Sequence, residues 1–108
     1  MERALIDPSK IRDYLLDLDH PIGRSKAALF LSLGYTRVHW TRLAHDLVWH
    51  AREYGAYEVQ PNAYGLKYMV SGILRGPLGR SALLESVWII LDGEDFPRLV
   101  TAYPTSTP

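Results

Sequence analysis

Apolar positions recur at helical spacing up to residue 54, and from residue 56 onward that period gives way to alternation. Asp7 and Pro8 have the chemistry of an N-cap and a first helical residue; Ile11, Tyr14 and Leu15 follow as a narrow apolar stripe. Residues 1–7 before them read as a short lead-in. The first helix is expected to stop within residues 17–21, because a residue before proline is pushed out of the helical region. A second helix is expected after Gly23, over residues 25–33, with Leu29, Phe30 and Leu33 on one side and Gly34 as C-cap. The longest is expected over residues 37–54. There Trp40, Leu43, Leu47, Ala51 and Tyr54 repeat at spacings of three and four, His50 shares their side, and Gly55 ends the run.

Residues 57–60 then read as a short edge strand. In residues 65–75, Leu66, Tyr68 and Val70 fall on one face, and Lys67, Met69 and Ser71 on the other. Residues 76–79, with two glycines and Pro77, are a turn signal. Residues 80–91 are apolar at nearly every other position and rich in Val, Ile, Leu and Trp, the pattern of a central strand. Residues 92–95 turn the chain, and residues 97–104 return antiparallel as far as Pro104, which cannot continue a ladder. Residues 105–108 read as a frayed tail. The expected architecture is α+β: a single domain over residues 1–108, with about three N-terminal helices packed on one face of a three- to four-stranded antiparallel β-sheet.

A four-residue loop between Arg75 and Arg80 sets Lys67 opposite Trp88, Met69 opposite Ser86, and Ile73 opposite Ala82. The reverse face, pairing Tyr68 with Val87 and Leu66 with Ile89, is larger and more apolar and is expected to lie under the helices. Glu85, opposite Val70, is its one discordant member and needs a partner there. The open face would present Lys67, Ser71, Arg80, Ser86 and Trp88. A loop at residues 92–95 adds Thr101, opposite Ser86, and Tyr103, and turns Arg98 to the other side. A one-residue slip in either turn inverts the assignment.

Composition narrows the classes. The 108 residues are 47% hydrophobic and 22% charged, as in an ordinary globular domain, with no apolar run near membrane-spanning length and no signal-peptide pattern. No cysteine is present, which excludes disulfide frameworks and cysteine-bound zinc, and a cytoplasmic location is the default expectation. Twelve Lys and Arg balance 12 Asp and Glu, which argues against a broad nucleic-acid coat while allowing a small basic cleft. Seven Tyr and 3 Trp exceed what a small core needs, so some rings are expected to face a ligand or partner.

The segment from His20 to Lys26 is a second candidate for chemistry. A histidine held before Pro21 and Gly23 at a helix entrance has restricted geometry, and helix N-termini favour anions. His20, Arg24, Ser25 and Lys26 together suit a phosphate, with His20 as general acid or base. The plain alternative is an interhelix turn. His39 and His45 are expected in solvent and His50 packed and bonded to backbone. No histidine–carboxylate spacing argues for a metal, and no cofactor is expected. A face carrying Lys67, Arg80, Ser86, Trp88, Thr101 and Tyr103, with Arg98 as a further candidate cation that the register points to the other side, suits RNA, where base stacking contributes ~1–3 kcal/mol per base. Metal-free cleavage needs a base for the 2′-OH, an acid for the leaving oxygen and a cation for the phosphorane. His20, Lys26, Lys67, Thr101 and Tyr103 are the candidates, with the roles among them open.

The pattern of Asp19, His20, Pro21, Gly23, Ser25, Lys26 and Ala27, with Gly34 and Tyr35, resembles a family of small bacterial domains. Tyr64, Gly65, Lys67 and Tyr68 continue it, as do Gly76, Pro77, Gly79 and Arg80, residues 87–89 and residues 97–103. Related domains are similar to toxin modules of polymorphic and contact-dependent systems, and more distantly to the metal-independent RNases grouping barnase, EndoU, colicin nucleases and RelE. The resemblance implies N-terminal helices before a sheet of about four strands, cleavage of RNA, and neutralisation by a cognate antitoxin or immunity protein. The positions it carries over are His20, Lys26, Lys67, Arg80, Trp88, Arg98, Thr101 and Tyr103, with Ser86 where a threonine is expected. With no delivery region in these residues, a cellular toxin of a toxin–antitoxin pair is expected rather than an injected one.

The leading expectation is therefore a toxin-like ribonuclease acting by 2′-OH attack. The alternative is a non-catalytic interaction module, antitoxin- or immunity-like, that binds through its Tyr and Trp face. A small-molecule hydrolase has no nucleophile elbow or triad to support it.

Overall fold

A computed structural model describes residues 4–105; the rest of the expected tail, residues 106–108, lies outside them. The helices precede a four-stranded antiparallel meander in the order β1-β2-β3-β4, so the architecture is the expected α+β one. Helix α1 (Pro8–Lys10) opens where the cap chemistry puts it, with the Asp7 carboxylate accepting from Ser9 N at 2.9 Å and Pro8 in the first turn. The expected regular helix then widens into a π-helical turn, Ile11–Leu15, closed by Leu16 N donating to Ile11 O at 2.8 Å. That spacing aligns Ile11 with Leu16 and buries both together with Leu15, leaving Tyr14 turned toward the last strand.

Helix α2 (Arg24–Ser32) buries Ala27 and Phe30 and is followed by Gly34 at φ +104. Helix α3 (Trp40–Tyr54) starts at the first residue of its apolar repeat, three residues later than expected, because residues 37–39 form a turn in which Thr36 Oγ1 accepts from His39 N. It buries Leu43, Leu47, His50 and Ala51. Among the described residues, no helix is long and apolar enough to cross a membrane.

The strands are β1 (Glu58–Pro61), β2 (Gly65–Arg75), β3 (Ser81–Leu91) and β4 (Arg98–Pro104). Two local features move the register from the one the turns suggested. Arg75 pairs with Ser81, so the β2–β3 loop holds five residues rather than four, closed by Gly76 N to Arg80 O at 2.8 Å with Gly79 at φ +82. Lys67 consequently faces Ile89 rather than Trp88, and Val70 rather than Met69 faces Ser86. On the far side of β3 the expected pairing holds near the turn, Ile89 with Arg98 and Trp88 with Leu99. A bulge then makes Val100 an extra residue, and Thr101 pairs with Val87 instead of Ser86.

The net result is that β3 is turned over together with the start of β4, Arg98 and Leu99, while the bulge restores Thr101 and Tyr103 to their expected face. Trp88, Ser86 and Leu84 lie in the core with Val70, Leu74, Leu99 and Ala102, under the helices. The face turned away from α3 carries Lys67, Met69, Ser71 and Ile73 from β2. Leu83, Glu85, Val87 and Ile89 lie beside them on β3, and Arg98, Thr101 and Tyr103 on β4. The covered face gains its own polar network. Trp88 Nε1 donates to Ser86 Oγ at 3.0 Å, Ser86 Oγ meets His50 Nδ1 at 3.1 Å, and His50 Nε2 reaches Gly72 O at 3.1 Å. His50 is thus the packed, backbone-bonded histidine expected of it. The described part of the lead-in, residues 4–7, is also structural, while residues 1–3 lie outside the described residues: Leu5 bridges Arg98 in parallel, donating to Pro97 O and accepting from Leu99 N along the outer edge of β4.

Candidate active site at the β4 edge

Where the π-helical turn, the His20 loop and β4 meet, a cleft of about 580 Å³ opens, lined by Lys10, Asp13, Tyr14, His20, Ile22 and Thr101 among others. Tyr14 is its centre. The phenol oxygen accepts from Lys26 Nζ at 3.0 Å and lies 3.1 Å from Thr101 Oγ1. Lys26 Nζ also stands 5.3 Å and Lys10 Nζ 6.0 Å from the centroid of the ring, within cation–π range. Burial by itself pushes the phenol up. The hydrogen bonds from Lys26 and Thr101 and the charges of Lys26 and Lys10 outweigh it and hold Tyr14 below its ordinary value.

His20 meets the Tyr14 ring edge-on at 5.1 Å. Its Nδ1 accepts from the backbone N–H groups of Ile22 (3.1 Å) and Gly23 (3.0 Å). A ring nitrogen that accepts twice carries no proton, so the ring proton sits on Nε2 and that edge acts as a donor. Gly23 has a second role, because a Cβ there would lie 2.5 Å from Tyr14 O and 2.7 Å from its ring. Only glycine lets the loop close over Tyr14. The Asp13 carboxylate at the cleft margin is held by Arg12 at 3.2 Å and Arg37 at 3.1 Å.

The sequence candidates divide between this cleft and other places. His20, Lys26 and Thr101 come together around Tyr14. Arg24 starts α2 close by but is exposed, its backbone N–H bonded to His20 O. Lys67 lies on the open face, two strands or about 10 Å from β4. Arg80 is exposed in the β2–β3 turn. Arg98, expected on the covered side, is on the open face, paired with Glu94 at 2.7 Å and lying over Phe96. Ser86 and Trp88, expected on the open face, are 0% exposed in the core.

Tyr103 is on the open face and donates to Glu85 Oε2, while Tyr57 donates to Glu85 Oε1. Those bonds push both phenols up to about 12. Glu85 thus finds its partners on the face opposite to the one expected of it. A second hollow of about 610 Å³, beside His39, Arg42 and His45, is less convergent, because Asp46 already takes Arg42 at 3.1 Å and His45 at 3.4 Å. Among the described residues, no group of three His, Asp or Glu side chains is placed to hold a metal.

Tyr14, Tyr57 and Glu85 are the residues that sequence reasoning missed. Tyr14 looked like a stripe residue, and its two hydroxyl partners are 12 and 87 positions away. Glu85 did carry a signal, as a carboxylate out of place on an apolar face.

Residues 1–106 match the family described as a domain of unknown function (DUF6883), and the chain belongs to that family. Among curated proteins none matches. The fold is similar to that of a chain in a contact-dependent growth inhibition toxin–immunity protein complex from Klebsiella pneumoniae 342. The TM-score is 0.71 over 93% of this chain and 98% of that one, at 20% identity, a level at which the likeness is one of fold.

Proposed function

We propose that this DUF6883 chain is a toxin-like, metal-independent endoribonuclease whose reaction takes place in the Tyr14 cleft. The observation that carries the reading is the convergence of Lys26, Thr101 and His20 on one phenol that is held below its ordinary pKa. Deprotonated Tyr14 takes the proton of a ribose 2′-OH. The freed O2′ attacks the adjacent phosphorus and the P–O5′ bond breaks, giving a 2′,3′-cyclic phosphate and a 5′-hydroxyl; the leaving O5′ takes its proton from water, and Tyr14 returns to solvent the one it took. Lys26 and Lys10 balance the charge of the phosphorane, and the His20 Nε2–H donates to one of its oxygens. In this reading His20 acts as an oriented donor, its Nδ1 held by the two backbone N–H groups and its Nε2–H turned to the substrate.

The shared fold with a chain of a toxin–immunity complex supports a toxin role and a cognate immunity or antitoxin protein that occludes the cleft. An RNA substrate implies action in the cytoplasm. The test is expression in a bacterial host, followed by incubation of purified protein with tRNA and mRNA in EDTA. Growth arrest and cyclic-phosphate ends are expected. A harmless protein that leaves both RNAs intact rules the reading out.

A second reading has its own support. The burial of Ser86 and Trp88 removes an exposed indole from the open face, the formal charge is zero, and the similar chain comes from a complex that contains an immunity protein as well as a toxin. A non-catalytic immunity-like module fits these facts. It predicts protection from a toxin on co-expression, where the nuclease reading predicts arrest.

A further inference from the structure

We propose that Glu85, flanked by Tyr57 and Tyr103, forms a nucleobase subsite selecting a base with two adjacent N–H donors, the guanine type. The proposal takes the substrate class from the nuclease reading and uses no step of its chemistry.

Glu85 sits in the middle strand pair of the open face, opposite Ser71 on β2 and Tyr103 on β4, and is only partly buried. Each carboxylate oxygen accepts one phenol, Tyr57 on Oε1 and Tyr103 on Oε2. A carboxylate has about four lone-pair sites, so about two remain, one on each oxygen. Next to it Met69 and Val87, 6% and 3% exposed, are buried beneath the face and hold the backbone under Glu85 in place. Tyr57, 60% exposed, offers a ring for stacking. Tyr57 also belongs to an exposed connection that follows Gly55 at φ +67, tied down by its own N–H to Met69 O at 2.9 Å.

A carboxylate accepts and never donates, which sorts the bases. Guanine presents N1–H and N2–H side by side and satisfies both oxygens. Uracil sets its one N–H between two carbonyl oxygens that repel a carboxylate. Adenine and cytosine each pair an amino group with a ring-nitrogen acceptor. Thr101 is two residues from Tyr103, about 7 Å along the strand, so the cleft lined by Tyr14 and Thr101 lies within the span of the same nucleotide.

The test is titration of the wild-type protein with GMP, IMP and UMP, followed by chemical shifts or tryptophan fluorescence. IMP lacks only the N2 amino group. GMP is expected to bind about tenfold or more tighter than either of the others, and Glu85→Gln to abolish the preference. Equal affinities, or no binding of GMP, overturn the proposal, and this comparison needs no variant to fold. RNA cleavage without a GMP preference removes the subsite alone, whereas a GMP preference with intact RNA removes the nuclease and keeps the subsite.

Discussion

The Lys26 ammonium stands 3.0 Å from the Tyr14 hydroxyl, tying helix α2 to the π-helical turn. The contact places a cation against a group that burial alone would keep protonated. Both its position and its effect depend on the widened turn, which buries Ile11, Leu15 and Leu16 and leaves Tyr14 facing Thr101.

Tyr14→Phe removes the oxygen shared by Lys26 and Thr101 and keeps the ring. RNA cleavage should fall about 100-fold or more, while urea denaturation shifts by no more than about 1.5 kcal/mol. Cleavage assays on one tRNA and an unfolding curve decide it, and a variant of wild-type activity would remove Tyr14 from the chemistry.

The pH dependence follows from the same contact. The active form is the phenolate, so the cleavage rate should rise with pH and level off at an inflection below the ordinary tyrosine value of 10.0. Lys26→Met deletes a hydrogen bond and a charge that both favour the phenolate, and must therefore move the inflection upward. A pH–rate profile whose inflection stays in place in the variant would contradict the assignment.

Gly23→Ala tests the closure of the loop over Tyr14. The new Cβ would meet the backbone oxygen of Tyr14 at 2.5 Å, a neighbour that cannot swing away. A loss of about 1–3 kcal/mol in stability is expected, together with reduced cleavage as the ring is displaced. Unchanged stability and activity would show that the loop does not close as described.

The buried network under α3 predicts acid sensitivity. Burial holds His50 below 6.5, against smaller opposing effects of hydrogen bonds at Gly72 and Leu84. The unfolded chain takes up a proton near the ordinary histidine value and the folded chain only at lower pH. The stability from this group is therefore complete above that value and is lost as pH falls through the folded one. Urea curves at about pH 7.5 and about pH 5.5 should differ less in His50→Gln than in wild type. Ser86→Ala, which strands the Trp88 N–H and His50 Nδ1, should cost about 1–3 kcal/mol at either pH. An equal pH dependence in wild type and His50→Gln would exclude His50 as the sensor.

Much of this arrangement is local and was therefore legible in the chain. Asp7 and Pro8 start a helix through their own chemistry, Gly34 and Gly55 follow helix ends with positive φ, and β2, β3 and β4 alternate along their length. The His20 loop also declared itself, because a histidine between Asp19 and Pro21 is restricted by its neighbours whatever it packs against.

Which face β3 shows was a different kind of question. It hung on whether Arg80 ends the turn or begins the strand, a difference of one residue that inverts every side chain from there to the bulge at Val100. The clue was energetic: a carboxylate at 85 is costly under the helices and cheap beside two phenols, while Ser86 is tolerable in the core because His50 and Trp88 satisfy it. The sequence by itself determined the elements, their order and the antiparallel meander, since these follow from periods of a few residues and from turn chemistry. Only the tertiary structure decided the face of β3 and the meeting of Tyr14, Lys26 and Thr101. Those depend on a five-residue loop, a bulge at Val100 and a π-helical turn, each stabilised by packing partners far away in the chain.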